Sequence, residues 1–135
     1  MILLDTDVLV DVALDRPPYA DASSDLLSFL EGRGRMAFVA WHTLSNAYYL
    51  MRPSRGGAAA RSFLSDLMGF VVVVPTDTDA FRYAVSLDLP DLEDAMQVAA
   101  AWSCGASFIA TRNVKDFRRS PVPARTPEQL VRELA

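Results

Sequence analysis

Apolar residues fall in short blocks along the chain, and between the blocks they recur at helical spacing. Ile2 to Leu4 reads as a short buried strand that ends at Asp5, and Val8-Leu9-Val10 with Val12-Ala13-Leu14 continues as a helix that Pro17-Pro18 stops. Tyr19 to Leu30 puts Leu26, Leu27 and Leu30 on one helical face, with Gly32 and Gly34 as the stop. Met36 to Ala40 predicts a strand, and Thr43 to Met51 a helix closed by Pro53 and Gly56-Gly57. A further helix over Ala58 to Met68 precedes Phe70 to Val74, whose β-branched run predicts a fully buried parallel strand ended by Pro75. Thr76, Asp77 or Thr78 caps a helix over Asp79 to Leu87. Asp91 to Cys104 follows as a long helix whose buried stripe is Ala95, Val98, Ala99 and Trp102. Phe108 to Ala110 is the last predicted strand, and Pro127 to Leu134 a terminal helix opened by its proline.

Strands separated by helices describe a parallel sheet covered on both faces, a three-layer α/β domain with right-handed crossovers. With 135 residues, half of them apolar, the chain builds one core of ordinary size, so residues 1–135 are expected to form a single domain. No apolar run approaches the ~18 residues of a membrane span, and the start Met1-Ile2-Leu3-Leu4-Asp5 lacks the basic region of an export signal. The expectation is a soluble, cytoplasmic protein. Cys104 is the only cysteine and reads as a small hydrophobe. The net charge of −4 argues against a nucleic-acid affinity driven by overall field. Distribution softens this: Arg52, Arg55 and Arg61 gather around one loop, and Arg112, Lys115, Arg118 and Arg119 around another.

In such sheets ligands bind beyond the carboxyl ends of the strands, near a switch in strand order. Three polar clusters lie close to such positions. The first is Asp5-Thr6-Asp7 at the exit of the first strand, where helix capping competes with chemistry; function is assigned to Asp5 and capping to Asp7. The second is Asp88, Asp91, Glu93 and Asp94 around Pro90. Asp91 and Asp94, three apart, share a helix face with Glu93 turned away, although acids also open helices for purely structural reasons. The third, Thr111 to Phe117, follows the last strand with a hydroxyl, an amide and an acid, residue types that also make ordinary turns.

Convergence of the three clusters on one sheet edge would collect oxygen ligands for a hard cation such as Mg²⁺ or Mn²⁺, which relieves the repulsion among the acids. Such a site suits phosphodiester hydrolysis through a metal-activated water. Other chemistries lack their cast. His42 is the only histidine and reads as a helix-start residue, zinc and Ser-His-Asp sites are unsupported, and no glycine-rich phosphate loop is present. Trp41, Tyr48 and Tyr49 read as core or interface before base-stacking platforms.

Leu3 to Leu9, Leu89 to Ala95 and Ile109 to Phe117, in this order and spacing, resemble the PIN-domain family, which includes the VapC-like toxins of bacterial toxin–antitoxin pairs. The resemblance covers nearly the whole chain. It implies a three-layer α/β fold, Mg²⁺- or Mn²⁺-dependent endoribonuclease activity, and catalytic, metal-binding roles for Asp5, Asp94 and Asp116. Thr6, Asn46, Asp91, Thr111 and Asn113 are the implied surrounding residues, Thr111 beside the metal's water shell. An RNA substrate, an antitoxin partner and a homodimer are implied as well, the last through Tyr48 to Met51 and Phe63-Leu64, stretches that equally suit a core. The pattern leaves open whether Asn113 or Asp116 faces the metal; Asp116 is favoured for its charge. One departure stands out: the family usually has a glutamate in the helix after the second strand, where this chain has Asn46. An amide accepts a hydrogen bond but brings no charge and no base near neutral pH. Activity is what this departure puts in question, and a non-catalytic RNA-binding or protein-interaction module is the alternative. A third reading takes Asp5-Thr6-Asp7-Val8 as the nucleophile motif of a haloacid-dehalogenase-like phosphatase, but Lys115 is the sole lysine and that family's glycine-containing acidic pattern is lacking.

Overall fold

The computed structural model describes residues 1–135. Five short strands, β1 (Ile2–Leu4), β2 (Ala37–Val39), β3 (Val71–Val73), β4 (Phe108–Ala110) and β5 (Ala124–Arg125), form one parallel sheet in the order β3-β2-β1-β4-β5. The helices are α1 (Thr6–Ala13), α2 (Ala20–Glu31), α3 (Trp41–Arg55), α4 (Gly57–Leu67), α5 (Thr78–Ser86), α6 (Leu92–Cys104) and α7 (Pro127–Leu134). The expected three-layer α/β architecture is what forms.

Alternation along each strand builds the two cores. Ile2, Leu4, Ala37, Val39 and Ala110 point to the face covered by α1, α2, α4 and α7, where they meet Leu26, Leu30, Leu67 and Leu130. Leu3, Phe38 and Ile109 point to the opposite face and pack on Val98 and Ala101 of α6. The face of α6 away from the sheet carries α5 through Ala84, Ala95 and Ala99. Helix ends follow local chemistry: Asp77 caps α5 by accepting from Ala80 N at 3.0 Å, and Thr126 with Gln129 forms a reciprocal capping box at α7. Gly105 ends α6 at φ 69°, a left-handed conformation that other residues adopt at a cost.

Several sequence expectations require correction. The strand over Val71–Val73 lies at the sheet edge, paired only with β2, so Val72 and Val73 are half-buried and the strand is not fully enclosed. Pro53 does not close α3 but sits in its last turn, and the helix runs to Arg55. Trp102 is 59% exposed: it follows the buried stripe in number, but the surface there is already filled by Ala99 and Ala95, and its ring lies against Tyr83 instead. The strand β5 has no counterpart in the sequence reading, because two residues give no periodicity. Of the stretches proposed for a dimer surface, Met51 is buried, and Phe63 and Leu64 pack against core clusters, which leaves Tyr49 and Leu50 exposed.

Two substitutions check this assignment of core and surface. Leu4→Ala in the central strand is expected to cost about 2–5 kcal/mol of unfolding free energy. Trp102→Ala should cost no more than ~1.5 kcal/mol, the worth of an aromatic pair, both measured from denaturant midpoints.

Candidate functional site

Order reverses at β1: the chain runs outward through β2 and β3, then returns to place β4 on the other side. The carboxyl ends of β1 and β4 therefore flank the switch point, where a crevice is expected. Asp5 follows β1 directly, and its backbone N–H donates to the Ala110 carbonyl of β4 at 2.9 Å. Its carboxylate is buried; Oδ1 accepts from Thr6 N at 2.7 Å and Oδ2 from the Thr111 hydroxyl at 2.9 Å.

The cap of α1 is consequently Asp5, which corrects the capping expected of Asp7. Once the helix starts at Thr6, Asp7 occupies its first turn and is free to turn toward the segment after β4. Its Oδ2 accepts from Arg112 N at 3.3 Å and from Asn113 Nδ2 at 3.1 Å, and lies 3.2 Å from the Thr111 hydroxyl. Asn113 N in turn donates to Thr111 Oγ1 at 3.1 Å.

Capping also rearranges the second cluster. Asp91 is the N-cap of α6 and accepts from Asp94 N at 3.0 Å, so it stands outside the helix and is exposed. The shared face expected for Asp91 and Asp94 holds, as their oxygens and one of Glu93 lie within 4.8 Å of one another. Glu93 is not turned away. Its Oε2 lies 2.7 Å from His42 Nε2 and accepts from Gln97 Nε2 at 3.0 Å. Gln97 is fully buried, also donates to Thr43 Oγ1 at 2.8 Å, and lies 3.5 Å from Thr6 Oγ1. The signal that would have found Glu93 is Gln97 itself, a lone amide four residues on, among the small apolar residues of α6. His42 does open a helix, and its ring ties α3 to α6.

An open cleft of about 410 Å³ gathers these residues. Asp5, Thr6 and Asp7 line it from β1 and α1, Glu93 and Asp94 from α6, Arg112 and Asn113 from the β4 exit, and Asn46 from α3, one turn beyond His42. Thr111 is buried beneath it, bonded to Asp5. Asp116, exposed on a 3-10 turn over Val114–Phe117, is not among the lining residues, although its charge reaches Asp94. Asn113 lies in the wall itself.

The acids perturb one another. Burial holds the Asp5 carboxyl well above the usual carboxylate range, reinforced by the charges of Asp7 and Glu93 and opposed by its bonds from Thr111 and Thr6. Burial pushes Asp7 up to about 6, against hydrogen bonds from Arg112 and Thr111. Asp94 is pushed up to about 7 by burial and then by Asp91, Glu93, Asp116 and Asp7. Asp7 Oδ1 is buried with no hydrogen-bond partner. A set of crowded carboxylates with unused lone pairs suits a divalent, oxygen-seeking cation.

A comparison with curated protein sequences gives no match. Among solved structures, VapBC2 from Rickettsia felis bound to a promoter DNA fragment superposes with a TM-score of 0.73 at 18% identity, covering 93% of this chain and 98% of that one. A toxin–antitoxin complex from Klebsiella pneumoniae gives 0.69 at 22% identity, with 94% and 98% covered. VapC20 from Mycobacterium tuberculosis, described as a Sarcin-Ricin loop cleaving toxin, gives 0.66 at 16% identity, with 81% and 87% covered. Likeness at these identities establishes the fold. The family model of the PIN domain matches residues 1–115, a span that includes the exits of β1 and β4 and the start of α6, and the chain belongs to the PIN-domain family.

Proposed function

We propose that the protein is a metal-dependent endoribonuclease and the toxin of a toxin–antitoxin pair. The observation that carries this is the meeting of Asp5, Asp7, Glu93 and Asp94 in one cleft at the switch point of the sheet, with three of their pKa values raised. Structural relatives, a loop-cleaving toxin and a toxin–antitoxin complex, support RNA as substrate and an antitoxin as partner. A homodimer belongs to the same reading, with the exposed Tyr49 and Leu50 as the apolar residues nearest the cleft.

Asp5 and Asp94 would hold Mg²⁺ or Mn²⁺, with Asp116 approaching from the rim and Asp91 beside it. Bound there, the ion supplies a Lewis acid and a water of lowered pKa for phosphodiester hydrolysis. The residues of the chain contribute orientation. Thr111 and Thr6 N fix both oxygens of Asp5, while Asn113 and Arg112 N fix Asp7. Asn46 leaves α3 without the acid usual in the family, the motive for the reading as an impaired binding module. Glu93 favours retained activity, because His42 and Gln97 hold its carboxylate in the same cleft, on the side of α3.

Purified protein is expected to cleave RNA with Mn²⁺ or Mg²⁺, and Asp5→Asn and Asp94→Asn to reduce cleavage to background. Glu93→Gln should cost roughly 10–100-fold in rate, as for groups that support a metal site. Cleavage by Asp5→Asn and Asp94→Asn equal to the parent would sink the catalytic reading, and an inactive parent that still binds RNA would favour the binding module.

Metal and pH are linked through the raised acids. In EDTA, Asp94 and Asp7 keep their protons in the folded state to about 7 and about 6, whereas the unfolded chain releases them near 4. The folded state thus binds more protons across that window, and stability falls as pH rises through it. Melting temperature without metal should decline from pH 4 to 7. Asp94→Asn should flatten the decline, and Mn²⁺ at a hundredfold excess over its dissociation constant should restore about 2.7 kcal/mol at pH 7. A pH-independent melting curve with no response to Mn²⁺ would contradict the metal site.

A further inference from the structure

Two cations, Arg16 and Arg112, stand among the acids that line the cleft, and a single carboxylate organises both. Asp11 on α1 is 1% exposed, and neither of its oxygens has a hydrogen-bond partner. Its Oδ2 lies 3.3 Å from Arg112 Nε and its Oδ1 3.8 Å from Arg16 Nη1. Arg112 Nε is also 3.9 Å from Asp7 Oδ2, and the guanidinium lies over the Tyr19 ring with Cζ 4.3 Å from its centroid. The Nε edge of Arg112 is buried, yet the side chain keeps 29% of its surface and lines the cleft.

A buried carboxylate is costly unless it is paired, and one that makes no hydrogen bond is held by its charge partners alone. Asp11 is therefore not a spare ligand of the acid cluster. It fixes two guanidinium groups side by side, with Tyr19 closing one face of the second. Planar guanidinium forks with free donors match phosphate oxygens, and fixing them beforehand reduces the entropy lost on binding. The placement also bears on the objection raised by the net charge of −4: two of the chain's guanidinium groups stand in the cleft itself, where they offset part of its acidic charge.

We propose that Asp11 holds Arg16 and Arg112 as a two-arginine seat for a phosphate of the RNA backbone, beside the carboxylates of the cleft. This rests on the reading of RNA as substrate. A phosphate seated there lies next to Asp5 and Asp94, so the pair positions the strand and belongs to binding, separate from the metal site.

The test is the affinity of the protein, with Ca²⁺ supplied in place of Mg²⁺ or Mn²⁺ to neutralise the acids, for a short fluorescent single-stranded RNA, followed by anisotropy across a range of KCl concentrations. Arg16→Gln and Arg112→Gln should each weaken binding about tenfold, and the double variant should lower the slope of log affinity against log salt by roughly 0.7, the value for one single-strand phosphate contact. Arg112→Lys keeps the charge without the fork and should lose most of the same affinity. Arg61→Gln, the same charge change at an exposed position on α4 outside the cleft lining, should leave affinity and slope unchanged. Should Arg112→Gln melt early, the half-exposed Arg16, farther from Asp11, carries the test. Equal weakening by Arg61→Gln would assign the effect to general field and overturn the seat. Parental affinity in both cleft variants would overturn the seat alone, and a parent that binds no RNA would remove the RNA reading with it.

Discussion

Thr111 stands between two carboxylates, 2.9 Å from Asp5 and 3.2 Å from Asp7, and its hydroxyl has one proton to donate. One of the two acids is thus always left short, at a sheet edge where burial already penalises their charge. The rest of the cleft depends on this shortage. Backbone N–H groups of Thr6 and Arg112 and the Asn113 amide all come from segments that immediately follow β1 and β4, and all are spent on these acids. Burial raises the pKa of both acids beyond what these donors offset, which suits the group to a cation.

The sheet is suited to hold such a shortage in place. Its strands are short, but β1 is paired on both sides and buried on both faces, so Asp5 is anchored through its own backbone to β4. Glu93 is anchored differently, through side chains: Gln97 and His42 connect it to Thr43 and to α3. The two sides of the cleft therefore rest on unlike supports, a backbone ladder under Asp5 and a buried amide relay under Glu93. A buried amide network is rigid when satisfied. Gln97 Oε1, without a partner, is where this relay is incomplete.

Elements with a clear period were legible in the sequence. Alternation and β-branched residues located four of the five strands, and the helical spacing of small and branched residues located every helix to within a few residues. What the pattern did not carry was tertiary position. The valine run of β3 looks like an interior strand, yet edge placement is decided by chain order, which periodicity does not encode. Trp102 has the spacing of a core residue but not the company of one. In the site, the exits of β1 and β4 were legible because a strand end fixes direction. Assignments in the first helical turns were not: a small difference in where the helix begins moves the facing side chain, which gave the capping bond to Asp5 in place of Asp7 and brought Glu93 inward. The pairing of Arg16 with Arg112 escaped notice for another reason. Their partner Asp11 reads as an ordinary acid on a helix, and only its burial shows that it binds cations.

Net charge is a poor guide here because it sums over surfaces that lie outside the cleft. Within the cleft the lining holds four carboxylates, Asp5, Asp7, Glu93 and Asp94, against two guanidinium groups, Arg16 and Arg112. Fully ionised, that lining carries two negative charges in excess, which would repel a phosphate strand at contact distance. Raised pKa values reduce the excess by retaining protons, and a single divalent cation cancels it while leaving every acid ionised. The asymmetry of the lining then acquires a purpose. On the proposed reading, carboxylates concentrated on the β1 and α6 sides would attract the cation, the arginine pair would draw the strand, and neither function would work against the other once the cation is in place. An acidic protein can in this way present a neutral, polar cleft to an anionic chain, with the balance set by one ion rather than by a basic surface.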